Sequence, residues 1–200
     1  MTHGSLVAIL RGVRPDQVAE IGEAVLAGGI EIIEVPLNSP SPLVSIAALR
    51  ERLADRAVVG AGTVLSVDDV RAAHRAGAQV IVSPNCDPEV IAETLRLGMQ
   101  PYPGVATVTE AFTALRAGAR HLKMFPAGVL GVASLTAWRE VLPAGTALLP
   151  VGGMDARSVG AWAAAGADGA GFGGSLYKPG REAAEVGRRA AELLDAWRSA

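Results

Sequence analysis

Of the 18 cationic residues in this 200-residue chain, 16 are arginine and only Lys123 and Lys178 are lysine. A composition bias toward arginine accounts for the ratio. It also makes each surviving lysine worth inspection, because arginine cannot replace lysine where an amine must lose its proton. Lys123 lies in Ala119-Arg120-His121-Leu122-Lys123-Met124-Phe125-Pro126. In an extended segment Leu122 and Met124 share one face, and His121, Lys123 and Phe125 share the other. If the first face packs under helices, Lys123 points inward, where desolvation and a cation such as Arg11 lower its pKa. The free amine can attack a ketone and form an iminium, an electron sink for cleaving the adjacent C–C bond. The alternative is a lysine reaching the rim and staying in water. Lys178, beside Pro179-Gly180, reads as a solvated surface residue.

Glu34 is the second reactive candidate. In Ile30-Glu31-Ile32-Ile33-Glu34-Val35-Pro36-Leu37-Asn38, alternation places Ile32, Glu34 and Asn38 on one face and Ile33, Val35 and Leu37 on the other. The apolar set must pack under helices, so Glu34 points into the interior. A carboxylate there is costly unless it is paired or kept for proton transfer. A structural salt bridge to Arg11 or Lys123 is the competing explanation. Two glycine turns, Gly152-Gly153 and Gly173-Gly174-Ser175, offer backbone N–H groups and one hydroxyl, a donor set suited to a phosphate, with a helix N-terminus expected to face the anion.

Other chemistries fit poorly. His3, His74 and His121 are scattered without HxH or HExxH spacing, so no metal site is expected. No GxSxG occurs, and Gly60-Ala61-Gly62-Thr63 lacks the third glycine of a dinucleotide fingerprint, so no cofactor is expected. Cys86 has no positioned histidine and reads as a bystander.

These residues need a scaffold that brings distant segments together. Short apolar runs alternate with Ala/Leu/Arg/Glu stretches of helical period, the pattern of a parallel sheet with crossover helices. Strands are predicted over 6–10, 30–37, 57–62, 79–83, 100–102, 119–125, 147–151 and 169–172, with eight helical segments, the last from about 181 to 198. Strict alternation favours a single-domain (β/α)8 TIM barrel over 1–200 rather than a doubly wound open sheet, whose edge strands would be more polar. In such a barrel the strand C-termini carry the chemistry. Here they present Arg11-Gly12, Glu34 with Asn38, Thr63, Pro84-Asn85, Lys123 with Phe125, Gly152-Gly153 and Gly173-Gly174-Ser175. Gly28, Gly77, Gly98, Gly118 and Gly166 each end a helix and read as left-handed C′ residues. Helix starts are marked at Pro15-Asp16, Ser66, Asp87-Pro88 and Thr107 through Glu110, the last a capping box.

Composition sets the context. Half the residues are apolar but only 4% are aromatic, and the net charge of −2 shows no basic face for nucleic acid. One cysteine implies a reducing cytoplasm, and neither a membrane span nor a basic leader over Met1 to Ser5 is expected.

Taken together, Ile9-Leu10-Arg11-Gly12, Glu34-Val35-Pro36-Leu37-Asn38-Ser39-Pro40, Gly60-Ala61-Gly62-Thr63-Val64-Leu65, Ser83-Pro84-Asn85, Leu122-Lys123-Met124-Phe125-Pro126 and Val151-Gly152-Gly153 resemble the 2-keto-3-deoxy-6-phosphogluconate / 6-phosphogalactonate aldolase family, in order from about Leu6 to Gly180. The resemblance implies a metal-independent homotrimeric (β/α)8 barrel that reversibly cleaves a phosphorylated keto-deoxy sugar acid to pyruvate and glyceraldehyde 3-phosphate. It implies Lys123 as Schiff-base lysine and Glu34 as general acid/base. Arg11, Thr63 and Pro84 would line the pyruvate end, with Phe125 beside the imine and Gly152, Gly153, Gly174 and Ser175 around the phosphate. Gluconate-type members usually carry Thr-Leu-Arg-Thr after the glutamate. Here Pro36-Leu37-Asn38-Ser39 is similar to the galactonate branch, and with no arginine at Asn38 the carboxylate must rely on Arg11, Thr63 and backbone donors. Gly173-Gly174-Ser175 looks more like the gluconate branch. A phosphosugar isomerase or epimerase on the same scaffold would leave Lys123 without a covalent role. A non-catalytic phosphosugar-binding barrel would need neither Lys123 nor Glu34.

Overall fold

The computed structural model describes residues 5–200, so Met1, in the stretch read for a leader, and His3, weighed as a metal ligand, lie outside the described residues. The strands are β1 (Ser5–Ile9), β2 (Ile32–Pro36), β3 (Val58–Gly62), β4 (Val80–Val82), β5 (Gln100–Tyr102), β6 (Gly104–Val105), β7 (His121–Met124), β8 (Ala147–Pro150) and β9 (Gly169–Phe172). The helices are α1 (Pro15–Ala27), α2 (Pro42–Leu53), α3 (Val67–Arg75), α4 (Pro88–Arg96), α5 (Val108–Arg116), α6 (Ala127–Leu130), α7 (Val132–Val141), α8 (Val159–Ala164) and α9 (Ala183–Arg198), with a 3₁₀ turn at Ala54–Arg56. All strand pairs are parallel. One sheet runs β5-β4-β3-β2-β1-β9 as a half-barrel, and a second runs β6-β7-β8.

The fifth predicted strand, 100–102, is reproduced by β5, and an additional short strand, β6, follows it across Pro103, which has no N–H to continue the ladder. Its carbonyl still accepts from the Lys123 amide at 2.9 Å. The helical segment after β7 is divided at Gly131, whose φ of 75° no right-handed helix accommodates.

Helix starts follow the local sequence. The Ser66 hydroxyl accepts from the Asp69 amide, Asp87 accepts from the Glu89 and Val90 amides, and Thr107 with Glu110 forms a complete capping box. Gly77, Gly98, Gly118 and Gly166 have the left-handed backbone expected of them. Gly28 does not: its φ is −77°, and Gly29 at 90° turns the chain instead. Gly28 is glycine because α9 crosses it. A Cβ there would lie 2.5 Å from the Ala190 Cβ and 2.7 Å from the Gly187 carbonyl. Gly28→Ala is therefore expected to destabilise the fold by ~1–3 kcal/mol through overpacking while leaving turnover of folded protein unchanged; urea midpoints and assays on the same samples check this.

Alternation sorts the side chains into two sets. Ile33, Val35, Leu122 and Met124 join the large cluster between strands and helices. The opposite strand faces carry a smaller cluster of Val7, Val80, Val82, Tyr102 and Leu149, against which Ile32 packs. His121 stacks on Tyr102 with ring centroids 4.7 Å apart. This second cluster is the apolar floor on which the polar residues rest.

Candidate active site

Glu34 pairs with Ile9 and Gly60 across β2, while Lys123 pairs with Gly104 and Leu149 across β7. Both side chains emerge on the smaller cluster's side, and both are nearly inaccessible, at 2% and 7% exposure. Lys123 therefore does not reach out to the rim. Nor does Glu34 act as a structural ion-pair partner: among the described residues it joins no salt bridge, and its Oε2 is buried without a hydrogen bond. A small apolar void lined by Val7, Val82, Tyr102, Leu149 and Val151 lies beneath both groups.

Burial dominates their protonation. Desolvation pushes the Glu34 carboxyl up to about 7, against the pull of Lys123 and Arg11. Desolvation lowers the Lys123 pKa, Glu34 opposes, and Arg11 adds a smaller push in the same downward direction. A carboxyl near neutrality beside an amine eased toward its free base is suited to proton transfer and nucleophilic addition in one place. The Lys123 ammonium also lies over the Phe125 ring, 4.7 Å from its centroid, within cation–π range.

Above them opens a cavity of about 430 Å³. Its wall includes Arg11, Glu34, Thr63, Pro84, Lys123, Phe125, Gly152, Gly153, Gly174 and Ser175, so strands distant in sequence bring every expected site residue but Asn38 to one surface. Asn38 stands just behind, with its Oδ1 accepting from Arg11 Nη1 at 2.6 Å. Arg11 Nη2 donates to the Thr63 hydroxyl at 3.5 Å. The guanidinium is thus aimed by two neighbours, and Ser39 accepts from the Gly12 amide at 3.0 Å to fix the loop carrying it. Thr63 itself has φ 55°, a left-handed conformation unfavourable for a β-branched residue.

The glycine end differs from expectation in one respect. No helix begins in the loop after β9: Leu176 and Tyr177 amides both donate to the Gly173 carbonyl at 2.9 Å, a closed turn, and α9 starts only at Ala183. Ser175 Oγ is buried without a partner, and Ser175 is one of the residues lining the cavity.

Sequence reasoning passed over several wall residues: Ile9, Val151, Met154, Asp155 and Gly171. Asp155 has a readable signal, since its Oδ1 accepts from the Arg157 and Ser158 amides in a turn leading into α8. Gly62 is the most consequential omission. A Cβ there would overlap the Glu34 carboxylate, so this glycine is the space Glu34 occupies. A glycine one residue before a strand-end threonine was the only clue. Lys178 is exposed as expected, though its Cε lies 3.4 Å from where a Gly174 Cβ would stand. Among the described residues no group of three or more His, Cys, Asp or Glu is arranged to hold a metal ion.

Comparison with known proteins gives concordant matches. The family model described as Aldolase: KDPG and KHG aldolase matches residues 1–187. The chain is 44% identical over 196 residues to the 2-dehydro-3-deoxy-6-phosphogalactonate aldolase of Escherichia coli K12, covering 98% of this chain and 95% of that protein. It is 42% identical over 192 residues to the probable 2-dehydro-3-deoxy-6-phosphogalactonate aldolase of Rhizobium meliloti, covering 96% and 91%. A solved structure described as native KDPGal superposes with a TM-score of 0.96 at 42% identity, over 100% of this chain and 97% of that one.

Proposed function

Because the chain belongs to the KDPG and KHG aldolase family, we propose that it is a Schiff-base aldolase cleaving 2-dehydro-3-deoxy-6-phosphogalactonate reversibly to pyruvate and D-glyceraldehyde 3-phosphate. The observation that carries the reading is the pair Lys123 and Glu34, buried without a salt bridge at the base of one cavity, with pKa values moved toward each other by desolvation.

In this mechanism Arg11, Thr63 and Pro84 line the pyruvate end, with Arg11 and Thr63 holding the carboxylate. The Gly152, Gly153, Gly174 and Ser175 donors hold the phosphate. Fixing both ends sets the substrate across the cavity before reaction. Lys123 adds to C2, and Glu34 protonates the carbinolamine hydroxyl as water leaves. Glu34, directly or through water, then takes the C4 hydroxyl proton as C3–C4 breaks, with the iminium accepting the electron pair. Protonation of the enamine at C3 and hydrolysis release pyruvate and restore the amine.

Asn38 bears on the epimer. It gives Arg11 an acceptor rather than giving the substrate a second cation, the arrangement expected of the galactonate branch. The gluconate epimer is the nearer alternative, and equal kcat/KM on both would make the enzyme dual-specific. For the class of reaction, the deciding experiment is mass spectrometry of intact protein incubated with pyruvate and borohydride, followed by peptide mapping. A reduced adduct on the Lys123 peptide supports the imine. No adduct on active protein would favour the isomerase instead.

The remaining features are parts of the same proposal. The two sheets are read as arcs of one closed (β/α)8 barrel in a single domain. Supporting this are the Val151–Gly171 bridge at one seam, chain continuity through Pro103 at the other, and a core cluster running from Leu6 to Leu194. Catalysis is read as metal-independent, and prolonged dialysis against EDTA is expected to leave kcat unchanged. A homotrimer is proposed from the family resemblance and a cytoplasmic location from cysteine usage. No helix of the described residues is long and apolar enough to cross a membrane.

A further inference from the structure

We propose that Arg181 is a positioning residue for the phosphate end of the cavity, holding the 173–176 turn so that its free donors face the substrate. The inference rests on the phosphate reading of that turn given above. Its basis is where each peptide group of the loop goes.

The Leu176 and Tyr177 amides are taken by the Gly173 carbonyl. The Gly174 and Ser175 amides donate to no acceptor among the described residues, and the Ser175 hydroxyl is buried and equally unpartnered. Two amides and one hydroxyl of a single short turn thus have no partner where Gly174 and Ser175 line the cavity. On the other side the carbonyls are gathered by one side chain. Arg181 Nη1 lies 2.7 Å from the Leu176 carbonyl, and 3.4 Å from those of Ser175 and Gly174. Arg189 Nη1 adds a bond of 3.2 Å to the Ser175 carbonyl. Glu185 Oε1 ties the two arginines together, at 3.3 Å from Arg181 Nε and 2.8 Å from Arg189 Nε.

Peptide planarity turns this into a directional device. In a trans peptide the C=O and the N–H of the next residue point opposite ways. Drawing the Gly174 carbonyl toward Arg181 therefore sends the Ser175 N–H away from the guanidinium. The arginine side chain is only 12% exposed, so these charge-assisted bonds work with little competition from water. A guanidinium suits the task because its planar fork serves several acceptors at once, which an ammonium on a flexible stem does less well. The chain brings the side chain back through the turn in which the Arg181 amide donates to the Lys178 carbonyl at 3.0 Å, with Gly180 at φ 84°. The same loop leans on the carboxylate end, since a Gly12 Cβ would lie 2.8 Å from Pro179 Cγ.

The test compares steady-state cleavage of the 6-phosphorylated substrate with that of the same keto-deoxy acid lacking phosphate. Arg181→Met is expected to raise KM for the phosphorylated substrate by about 10- to 100-fold and to weaken competition by inorganic phosphate, leaving kinetics on the unphosphorylated compound and trapping by pyruvate with borohydride unchanged. Arg181→Lys should restore only part of the loss. Glu185→Gln, which keeps both arginines but loosens their tie, should move KM in the same direction by less and serves if Arg181→Met does not fold. Equal losses on both substrates would make Arg181 a support of the fold and overturn the proposal; so would unaltered KM in both variants. If wild-type enzyme itself shows no preference for the phosphorylated substrate, the phosphate reading fails first and this inference falls with it.

Discussion

Lys123→Ala is expected to lose aldol cleavage on the order of 10⁴- to 10⁶-fold, the range seen when a covalent nucleophile is removed from other enzymes, and to give no borohydride-trapped adduct. The companion substitution Lys123→Arg separates two explanations. Arginine preserves a cation near Glu34 but stays protonated and cannot add to a ketone. If Lys123 serves through its charge alone, the arginine variant should recover a large share of activity. If it serves as the nucleophile, the arginine and alanine variants should be equally inactive. Lys123→Ala should not unfold the protein, because it removes a buried ammonium that has no salt bridge and so relieves a desolvation penalty. Lys123→Arg keeps a buried cation that cannot deprotonate, so thermal melts must show it folded before its activity is compared with that of the alanine variant. Recovery of substantial cleavage by Lys123→Arg would remove the Schiff base from the mechanism.

The parts of this site that could be read from the sequence are those set by periodicity and residue chemistry. Alternation across 30–38 and 119–125 assigned Glu34 and Lys123 to the interior because period two leaves no other face once Ile33, Val35, Leu122 and Met124 are buried. Strand-end polar residues converge because parallel strands all present the same end to one rim. What resisted reading depends on contacts between segments far apart in the chain. Gly28 and Gly29 are chemically identical, and only the passage of α9 across the first decides which one turns the chain. Gly62 looks like any strand glycine until Glu34 is placed against it. The short strand β6 beyond Pro103 could not be read, because two residues carry no periodicity. Arg181, one of 16 arginines, carries no local sign of the carbonyls it gathers.

Glu34→Gln is expected to lower kcat by ~10²–10⁴-fold, the usual contribution of a positioned proton-transfer group. Its signature should be in the pH dependence. With the carboxyl pushed up to about 7 by burial, wild-type enzyme should show a kcat/KM limb near neutrality that the glutamine variant lacks; the limb belongs to the coupled pair with Lys123. Stability should follow the same group with a definite sign. The folded state holds this proton more tightly than the unfolded chain, so Glu34's contribution is complete below about 4.5, falls as pH rises, and is gone above about 7. Relative to Glu34→Gln, wild-type protein should therefore lose at most about 3 kcal/mol of stability across that window, read from urea midpoints at each pH. Gly62→Ala gives an independent check, because its methyl would claim the space of the carboxylate while leaving both ionisable groups in the chain. If displacing Glu34 in this way costs as much activity as Glu34→Gln, position matters as much as the proton. If Gly62→Ala remains fully active with the limb near neutrality intact, the carboxylate works from elsewhere and Glu34 is not the acid/base of this site.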